Sequence, residues 1–185
     1  PTSDLVTNYD VEALVNSLVA DPQTKIIVFN AAMCAYHGSI DNVRSGKYAK
    51  RLQSRDGDQF MILTPAEKVL KQIRKVRKDI LLVAFKTTCG ATETEQYIAG
   101  LNLLKENSVN LVLANDTATR LNMVIVPEEA KYAISTDRVY TLDCLVDMAI
   151  KRSQLTFTRS TVIDAPSVDW NDPEVPESLR TVVNY

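Results

Sequence analysis

Three short segments, each directly after an apolar run, hold the residues of this sequence best suited to chemistry. The segments are Asn30-Ala31-Ala32, Phe85-Lys86-Thr87-Thr88 and Asn115-Asp116-Thr117. Small side chains let a ligand approach the backbone, an aromatic ring can stack on a base, and Asn and Asp supply hydrogen-bond donors and acceptors. Each segment alone is more typical of an ordinary turn or of tight packing than of a binding site. A shared position at one sheet edge favours a binding site.

Two sets of basic residues are suited to neutralising a polyphosphate. One set lies on a helix predicted over residues 65–78, with Pro65 at its first position and Lys68 in its first turn. A solvated helix face is the simpler interpretation of this set. The other set lies in residues 37–58, which lack periodicity and are predicted to be a loop; it comprises Arg44, Lys47, Lys50, Arg51 and Arg55. Closure over phosphate and a solvated loop are equal alternatives there.

Composition excludes several classes of protein. The chain has 185 residues and a formal net charge of -2, so its overall charge gives no reason to bind nucleic acid or an anionic membrane. No apolar run approaches the roughly 20 residues of a membrane span. Three scattered cysteines and one histidine predict neither a disulfide framework nor a metal site, and they favour a cytoplasmic location. The GxGxxG and GxxxxGK[ST] motifs are absent.

Hydrophobic periodicity predicts an α/β fold. Continuous apolar runs at residues 25–29, 80–85 and 109–114 are typical of strands buried on both faces. Amphipathic helices are predicted over residues 11–19, capped by Asp10, and over 65–78, 92–106 and 142–150, and a further strand over 59–63. Because helices of this length separate the strands, parallel pairing follows. The expected architecture is a Rossmann-like three-layer sandwich with a mostly parallel sheet.

Two further features concern the C-terminal part of the chain. Residues 123–126 and 132–134 predict a small β-hairpin that follows the third long strand. We predict one Rossmann-like domain over residues 1–160 and an extended polar tail over residues 161–185, because three prolines and several acidic residues fall in that stretch.

The ordered set of motifs resembles phosphopantothenoylcysteine synthetase, over about residues 10–153. The resemblance rests on Asn30-Ala31-Ala32-Met33, the basic loop around Arg51-Leu52-Gln53-Ser54, the strand into Ala84-Phe85-Lys86, and Leu113-Ala114-Asn115-Asp116. It implies the ligation of 4'-phosphopantothenate to cysteine through an acyl-nucleotidyl intermediate. CTP or ATP with Mg²⁺ activates the carboxylate in this family, and the family is dimeric.

The resemblance also implies roles for individual residues. It assigns catalytic positions to Lys50, Arg51, Asn115 and Asp116. It assigns contacts with the nucleotide to Phe29, Asn30, Ala31, Pro65, Ala66, Glu67, Lys68, Phe85 and Lys105. No residue is assigned to a metal.

The sequence departs from the family pattern at several positions. Ala35 replaces an acidic residue, Arg51 aligns with a lysine linked to turnover, and Leu101 replaces a second lysine. The family's N-terminal strand and glycine-rich segment have no counterpart here, so a longer product or a second polypeptide is expected to supply them. The alternative function is therefore a catalytically inactive, synthetase-like subunit that binds nucleotide or a partner.

Overall fold

A five-stranded mixed sheet forms the centre of the fold. The architecture is that of a computed structural model, which describes residues 5–44, 46, 49 and 51–163. The strands are β1 (Ile26–Phe29), β2 (Tyr36–Ile40), β3 (Val43–Arg44), β4 (Ile62–Pro65), β5 (Leu81–Thr88), β6 (Leu111–Asp116), β7 (Asn122–Val126) and β8 (Ala130–Ser135). The helices are α1 (Asn8–Ala20), α2 (Val69–Val76), α3 (Glu93–Asn107) and α4 (Arg138–Ile163).

The central sheet has the strand order β1-β5-β6-β7-β8. β1, β5 and β6 pair in parallel, and β7 and β8 extend the sheet as an antiparallel hairpin. The predicted fold class and the C-terminal hairpin are therefore confirmed. β2, β3 and β4 form a separate antiparallel sheet in the order β3-β2-β4.

Alternation along the strands divides the core between two faces of the central sheet. Leu82, Ala84, Val112 and Ala114 belong to the cluster beneath α1, α2 and α3. Their neighbours along the strands face α4, and they are Leu81, Val83, Leu111 and Leu113. All eight are at most 1% exposed, which accounts for the continuous apolar runs in the sequence. Helices on both faces make the predicted three layers.

Gly100 brings α3 close to the sheet. A Cβ atom built at this position would lie 2.3 Å from the Cδ1 atom of Ile125 and 3.3 Å from the Cβ atom of Ala114. A side chain there would force Ile125, which is completely buried, to move. The glycine therefore has a packing role.

Thr92 caps α3 with a capping box completed by Glu95. This cap agrees with the predicted start of the helix at residue 92.

Three local predictions are wrong. Strand β1 is buried on one face only, because Ile27 is 7% exposed and Val28 is 55% exposed, and the helix on the Val28 face, α4, packs against β5 to β8. Pro65 does not begin a helix: it ends β4, and α2 begins at Val69. Residues 37–58 are not a simple loop, since they contain most of β2 and all of β3.

Two helix ends also differ from expectation. The N-cap of α1 is Thr7 rather than Asp10. Asp10 occupies the N3 position, and its side chain completes the same capping box. Helix α4 continues to Ile163, three residues beyond the predicted domain boundary. The predicted tail beyond that point lies outside the described residues, so the domain division stays a prediction. In the part of the chain that the structure describes, no helix is long and apolar enough to cross a membrane.

Candidate functional site

A cavity of about 470 Å³, here called the edge cavity, lies where β1 ends beside β5. Three segments line it: residues 29–35 after β1, residues 66–70 at the start of α2, and residues 84–87 of β5. Leu103 and Asn107 of α3 complete the lining. The cavity is thus at the carboxyl edge of the parallel strands, where ligands bind in open α/β sheets.

The edge cavity exists because β5 is longer than β1. The register pairs Phe29 with Ala84, the last pair between these strands, whereas β5 continues to Thr88 beside β6. Within the described residues, the backbone of residues 85–88 is thus paired by a neighbouring strand on one side only. The chain after β1 turns away there and leaves the opening.

Hydrogen bonds from two directions fix the segment after β1. The Asn8 side chain donates to the Cys34 carbonyl at 2.9 Å and accepts from the Cys34 N–H at 3.1 Å. The Ala66 N–H donates to the Ala35 carbonyl at 2.9 Å. The first contact ties this wall of the cavity to the start of α1, and the second ties it to the segment before α2. The sequence patterns did not indicate this role of Asn8 in supporting the cavity wall.

Most of the residues assigned to nucleotide contact come together in the edge cavity. The seven that line it are Phe29, Asn30, Ala31, Ala66, Glu67, Lys68 and Phe85. Pro65 precedes this group in β4, and it is paired with Tyr36. The aromatic pair belongs to different faces of the sheet, because Phe29 packs against the cluster beneath α1–α3 and Phe85 against the cluster beneath α4.

Lys105 lies elsewhere. Its ammonium group pairs with the Glu129 carboxylate in the turn between β7 and β8. The residues of α3 that line the edge cavity are Leu103 and Asn107. The assignment of Lys105 to the nucleotide stays a prediction of the resemblance, without support from its position.

Positive charge reaches the edge cavity from Lys68 and Lys86. Lys68 is the N-cap residue of α2, and its Nζ atom lies 3.3 Å from a carboxylate oxygen of Glu106. Both side chains of this ion pair are more than half exposed, and such pairs contribute only about 0–1 kcal/mol. Lys68 can therefore turn to an anionic ligand at little cost. Sequence reasoning noted Lys86 at the strand end but gave it no role.

Other basic residues of α2 are used by the fold. The Arg74 guanidinium donates to the carbonyls of Lys78, Ile80 and Ser108 and to the Oδ1 atom of Asn110. The Arg77 guanidinium donates to three carbonyls between Val19 and Thr24, and it pairs with Asp79 at 2.7 Å. These two arginines bind the C-terminal end of α2 to neighbouring segments. The basic residues of this region thus differ in role: Lys68 lines the edge cavity, whereas Arg74 and Arg77 stabilise the fold.

The carboxylate of Asp116 is surrounded by hydrogen-bond donors of the protein. Its carboxylate accepts five hydrogen bonds of 2.8–3.0 Å, from the N–H groups of Gly90, Ala91, Ala118 and Thr119 and from the Thr88 hydroxyl. The bond from the Thr119 N–H contributes most to lowering the pKa of Asp116, burial acts in the opposite direction, and the pKa lies well below its usual range. The side chain ties the β5–α3 connection to the β6–β7 turn.

Asn115 and Asp116 line a second opening rather than the edge cavity. This opening, here called the polar hollow, has a volume of about 330 Å³. A hydrogen bond of 3.1 Å from the Thr87 hydroxyl to the Asn115 Oδ1 atom connects the two regions, because Thr87 also lines the edge cavity. The structure thus brings the three strand ends to one sheet edge but divides them between two openings.

The two remaining catalytic assignments concern the basic loop. Arg51 is exposed and lines a separate open depression with residues 52–55. Lys50 lies outside the described residues, as does Lys47. Across the described ranges, 5–44, 46, 49 and 51–163, no group of three or more His, Cys, Asp or Glu residues is suited to hold a metal ion.

The fold is similar to that of solved proteins of pantothenate and coenzyme A metabolism. No protein-family model and no curated protein matches the chain. The DNA/pantothenate metabolism flavoprotein from Streptococcus pneumoniae shares the fold with a TM-score of 0.59 and 16% identity, over 80% of this chain and 68% of that one.

Two other solved structures are similar. A Cab2 mutant in complex with phosphopantothenate-cysteine gives a TM-score of 0.54 and 17% identity, over 74% of this chain and 46% of that one. The C-terminal domain of the coenzyme A biosynthesis bifunctional protein CoaBC gives 0.52 and 16%, over 80% and 63%. The chain spans less than two thirds of these two proteins, and at such identity the likeness shows the fold alone.

Proposed function

We propose that the chain binds a nucleoside triphosphate in the edge cavity. The observation that supports this best is the convergence of residues 29–31, 66–68 and 85, three segments distant in sequence, on one opening of about 470 Å³. Phe29 and Phe85 lie on different faces of the sheet, so one of the two rings would stack on the base, and the small residues Ala31 and Ala66 allow close approach to the backbone.

The phosphates would lie at the start of α2. No side chain caps this helix, and Val69 and Leu70 of its first turn line the cavity. The first N–H groups of a helix have no partner within the helix, and they favour phosphate. Lys68, at the start of α2, and Lys86, in β5, would add two positive charges.

For a magnesium ion bound to the triphosphate, the described lining of the edge cavity offers one carboxylate, that of Glu67. Mg²⁺ usually keeps several waters and uses one or two carboxylates together with substrate phosphates. Glu67 lines the edge cavity and accepts a hydrogen bond from Gln72 at 2.7 Å. Glu67 would hold the ion, which would neutralise charge on the phosphates.

We further propose that the nucleotide, CTP or ATP, activates 4'-phosphopantothenate for ligation to cysteine. A carboxylate oxygen would attack the α-phosphorus and release pyrophosphate. The amine of cysteine would then attack the acyl carbon, lose a proton and displace the nucleoside monophosphate, forming an amide bond. Such chemistry requires stabilised charge rather than a protein nucleophile. The support is the resemblance together with the shared fold, and a homodimer belongs to the same proposal.

Calorimetric titration of the full chain with CTP and ATP in the presence of Mg²⁺ tests the binding step. We expect a micromolar Kd for at least one nucleotide and a roughly tenfold weaker Kd for Lys68→Ala, because a charge-assisted bond contributes about 1.5–3 kcal/mol. Lys71→Ala is the matched control, since Lys71 is exposed on the same helix outside the cavity lining. Absence of binding in the unsubstituted chain would overturn the proposal.

The second candidate is a nucleotide-binding subunit without turnover. It is favoured by the engagement of Asp116 with five protein donors and by the pairing of Lys105 with Glu129, because both side chains are occupied by the fold. Incubation with phosphopantothenate, cysteine and the bound nucleotide separates the candidates. Pyrophosphate and the amide product, detected by mass spectrometry, indicate the ligase, whereas tight nucleotide binding without either product indicates the subunit.

A further inference from the structure

The polar hollow combines a buried amide floor with a cationic rim. The floor is formed by Asn115 and Asn122, which are paired across β6 and β7 and are 8% and 3% exposed. The rim contains two exposed arginines, Arg120 in the β6–β7 turn and Arg138 at the first position of α4, together with the exposed Thr136. This region lies outside the lining of the edge cavity.

One floor amide has an unused donor. The Asn115 Oδ1 atom accepts from the Thr87 hydroxyl, whereas its Nδ2 group has no acceptor among the described residues. Asn122, in contrast, donates through Nδ2 to the carbonyls of Arg120 at 2.7 Å and Ser135 at 3.2 Å. Because the Asn115 Nδ2 group lies in the lining of the hollow without an acceptor from the described residues, it is suited to an acceptor atom of a ligand.

The charges in the hollow favour an anion. Neither Arg120 nor Arg138 has a carboxylate within ion-pair distance in the described part of the chain. The one acidic side chain in the lining is Asp116, and all of its hydrogen bonds go to the protein. Two guanidinium groups against one fully engaged carboxylate leave an excess of positive charge and free donors.

We propose that the polar hollow binds the phosphoryl group of a small molecule, between Arg120 and Arg138 and above the Asn115 amide. Guanidinium groups bind phosphate oxygens through paired N–H donors. A volume of about 330 Å³ leaves room for a substituent beyond the phosphoryl group. This site goes beyond the proposed nucleotide cavity and does not depend on it.

Nuclear magnetic resonance of the full chain, labelled with ¹⁵N and titrated with inorganic phosphate and with phenyl phosphate, tests this inference. We expect saturable shifts at the backbone amides of residues 115–122 and 136–138. Arg120→Gln and Arg138→Gln should each weaken binding at least fivefold, whereas Lys151→Gln, which changes an exposed cation further along α4, should leave it unchanged. Tighter binding of phenyl phosphate indicates a phosphate ester as the ligand, and tighter binding of inorganic phosphate indicates the free ion.

A second variant checks the floor of the hollow. Asn115→Asp keeps the size of the side chain and an acceptor for Thr87, but it replaces the free donor with negative charge. We expect this variant to remain folded and to lose the phosphate-induced shifts at residues 115–122. Equal shifts in Asn115→Asp and the unsubstituted chain, or equal affinity in Arg120→Gln, Arg138→Gln and Lys151→Gln, would overturn the proposal.

Discussion

The edge cavity and the environment of Asp116 lie on the same sheet edge, yet they use their charged groups differently. Asp116 is 2% exposed and gives its carboxylate to five protein donors. Lys68 is largely exposed and has one partner, Glu106, at 3.3 Å. A polar residue at a strand end is therefore not automatically available to a ligand. The donors and acceptors that the fold already supplies decide whether it is.

The largest effect that this comparison predicts is on stability. Asp116→Ala removes the acceptor for four backbone N–H groups and one hydroxyl, and buried donors without partners are costly. We expect the Tm to fall by about 10 °C, a large shift for a chain of this size. The control is Asp137→Ala, because Asp137 is an exposed acceptor for two N–H groups at the start of α4. Equal losses of a few degrees in both variants, measured by thermal unfolding, would show that Asp116 is no more important to stability than an exposed helix cap.

The same carboxylate predicts a pH dependence. The pKa of Asp116 is lowered in the folded chain, so its contribution to stability is complete above the unfolded pKa of about 3.9 and declines as the pH falls towards the folded pKa. We expect the free energies of unfolding of the unsubstituted chain and Asp116→Asn to differ most above about pH 5 and to converge in acid. Urea unfolding between pH 2 and 7 measures this difference, and a gap that widened in acid would contradict it.

Lys86, in the edge cavity, should affect nucleotide binding rather than stability. Lys86→Ala should weaken the Kd for CTP or ATP about tenfold, because the side chain lines the edge cavity and no ion pair holds it among the described residues. The Tm should change by no more than about 2 °C. Calorimetry and thermal unfolding of the same sample measure both quantities, and Lys75→Ala on α2 serves as an exposed control. A large drop in Tm would place Lys86 with Asp116 among the structural residues.

A smaller effect is expected at Asn8. Asn8→Ala removes the two hydrogen bonds that hold Cys34, so the cavity wall at residues 29–35 becomes less ordered. We expect nucleotide affinity to fall about threefold, and Asn8→Asp, which keeps the acceptor for the Cys34 N–H, to lose less. Affinity that is unchanged in both variants would show that the wall needs no support from α1.

The smallest effect is expected at Lys105. The resemblance assigns this residue to the nucleotide, but its ammonium group pairs with Glu129 outside the edge cavity. We expect Lys105→Ala to keep the Kd within about twofold of the unsubstituted chain. A loss of affinity as large as that of Lys86→Ala, measured by calorimetry, would place Lys105 in the nucleotide site, as the resemblance implies.

The central architecture could be predicted because it depends on strong patterns. Continuous apolar runs and the capping box at Thr92 determine the buried strands and α3. Position within the sheet was harder to predict, because the run at residues 25–29 does not reveal that β1 has a neighbour on one side only. Pro65 was misleading for a physical reason: proline suits the first turn of a helix, but it is also accepted in an edge strand such as β4.

One missed element had a signal in the sequence. Asp41 and Asn42 both have positive φ angles, of 49° and 63°, and they form the two-residue connection between β2 and β3. Asp and Asn are among the residues that adopt this conformation most readily, so the pair between Ile40 and Val43 indicates a hairpin. The division of the strand ends between two openings had no such signal, because it depends on the relative lengths of β1 and β5 and on the donors around Asp116.

The most direct test of the proposed nucleotide site is hydrogen–deuterium exchange of the full chain, with and without saturating CTP or ATP and Mg²⁺. We expect nucleotide to slow exchange at residues 30–35 and 66–70, which form two walls of the edge cavity, and to leave exchange at residues 117–122 unchanged. Protection confined to residues 117–122, or no protection with either nucleotide, would contradict the claim that the edge cavity is the nucleotide site.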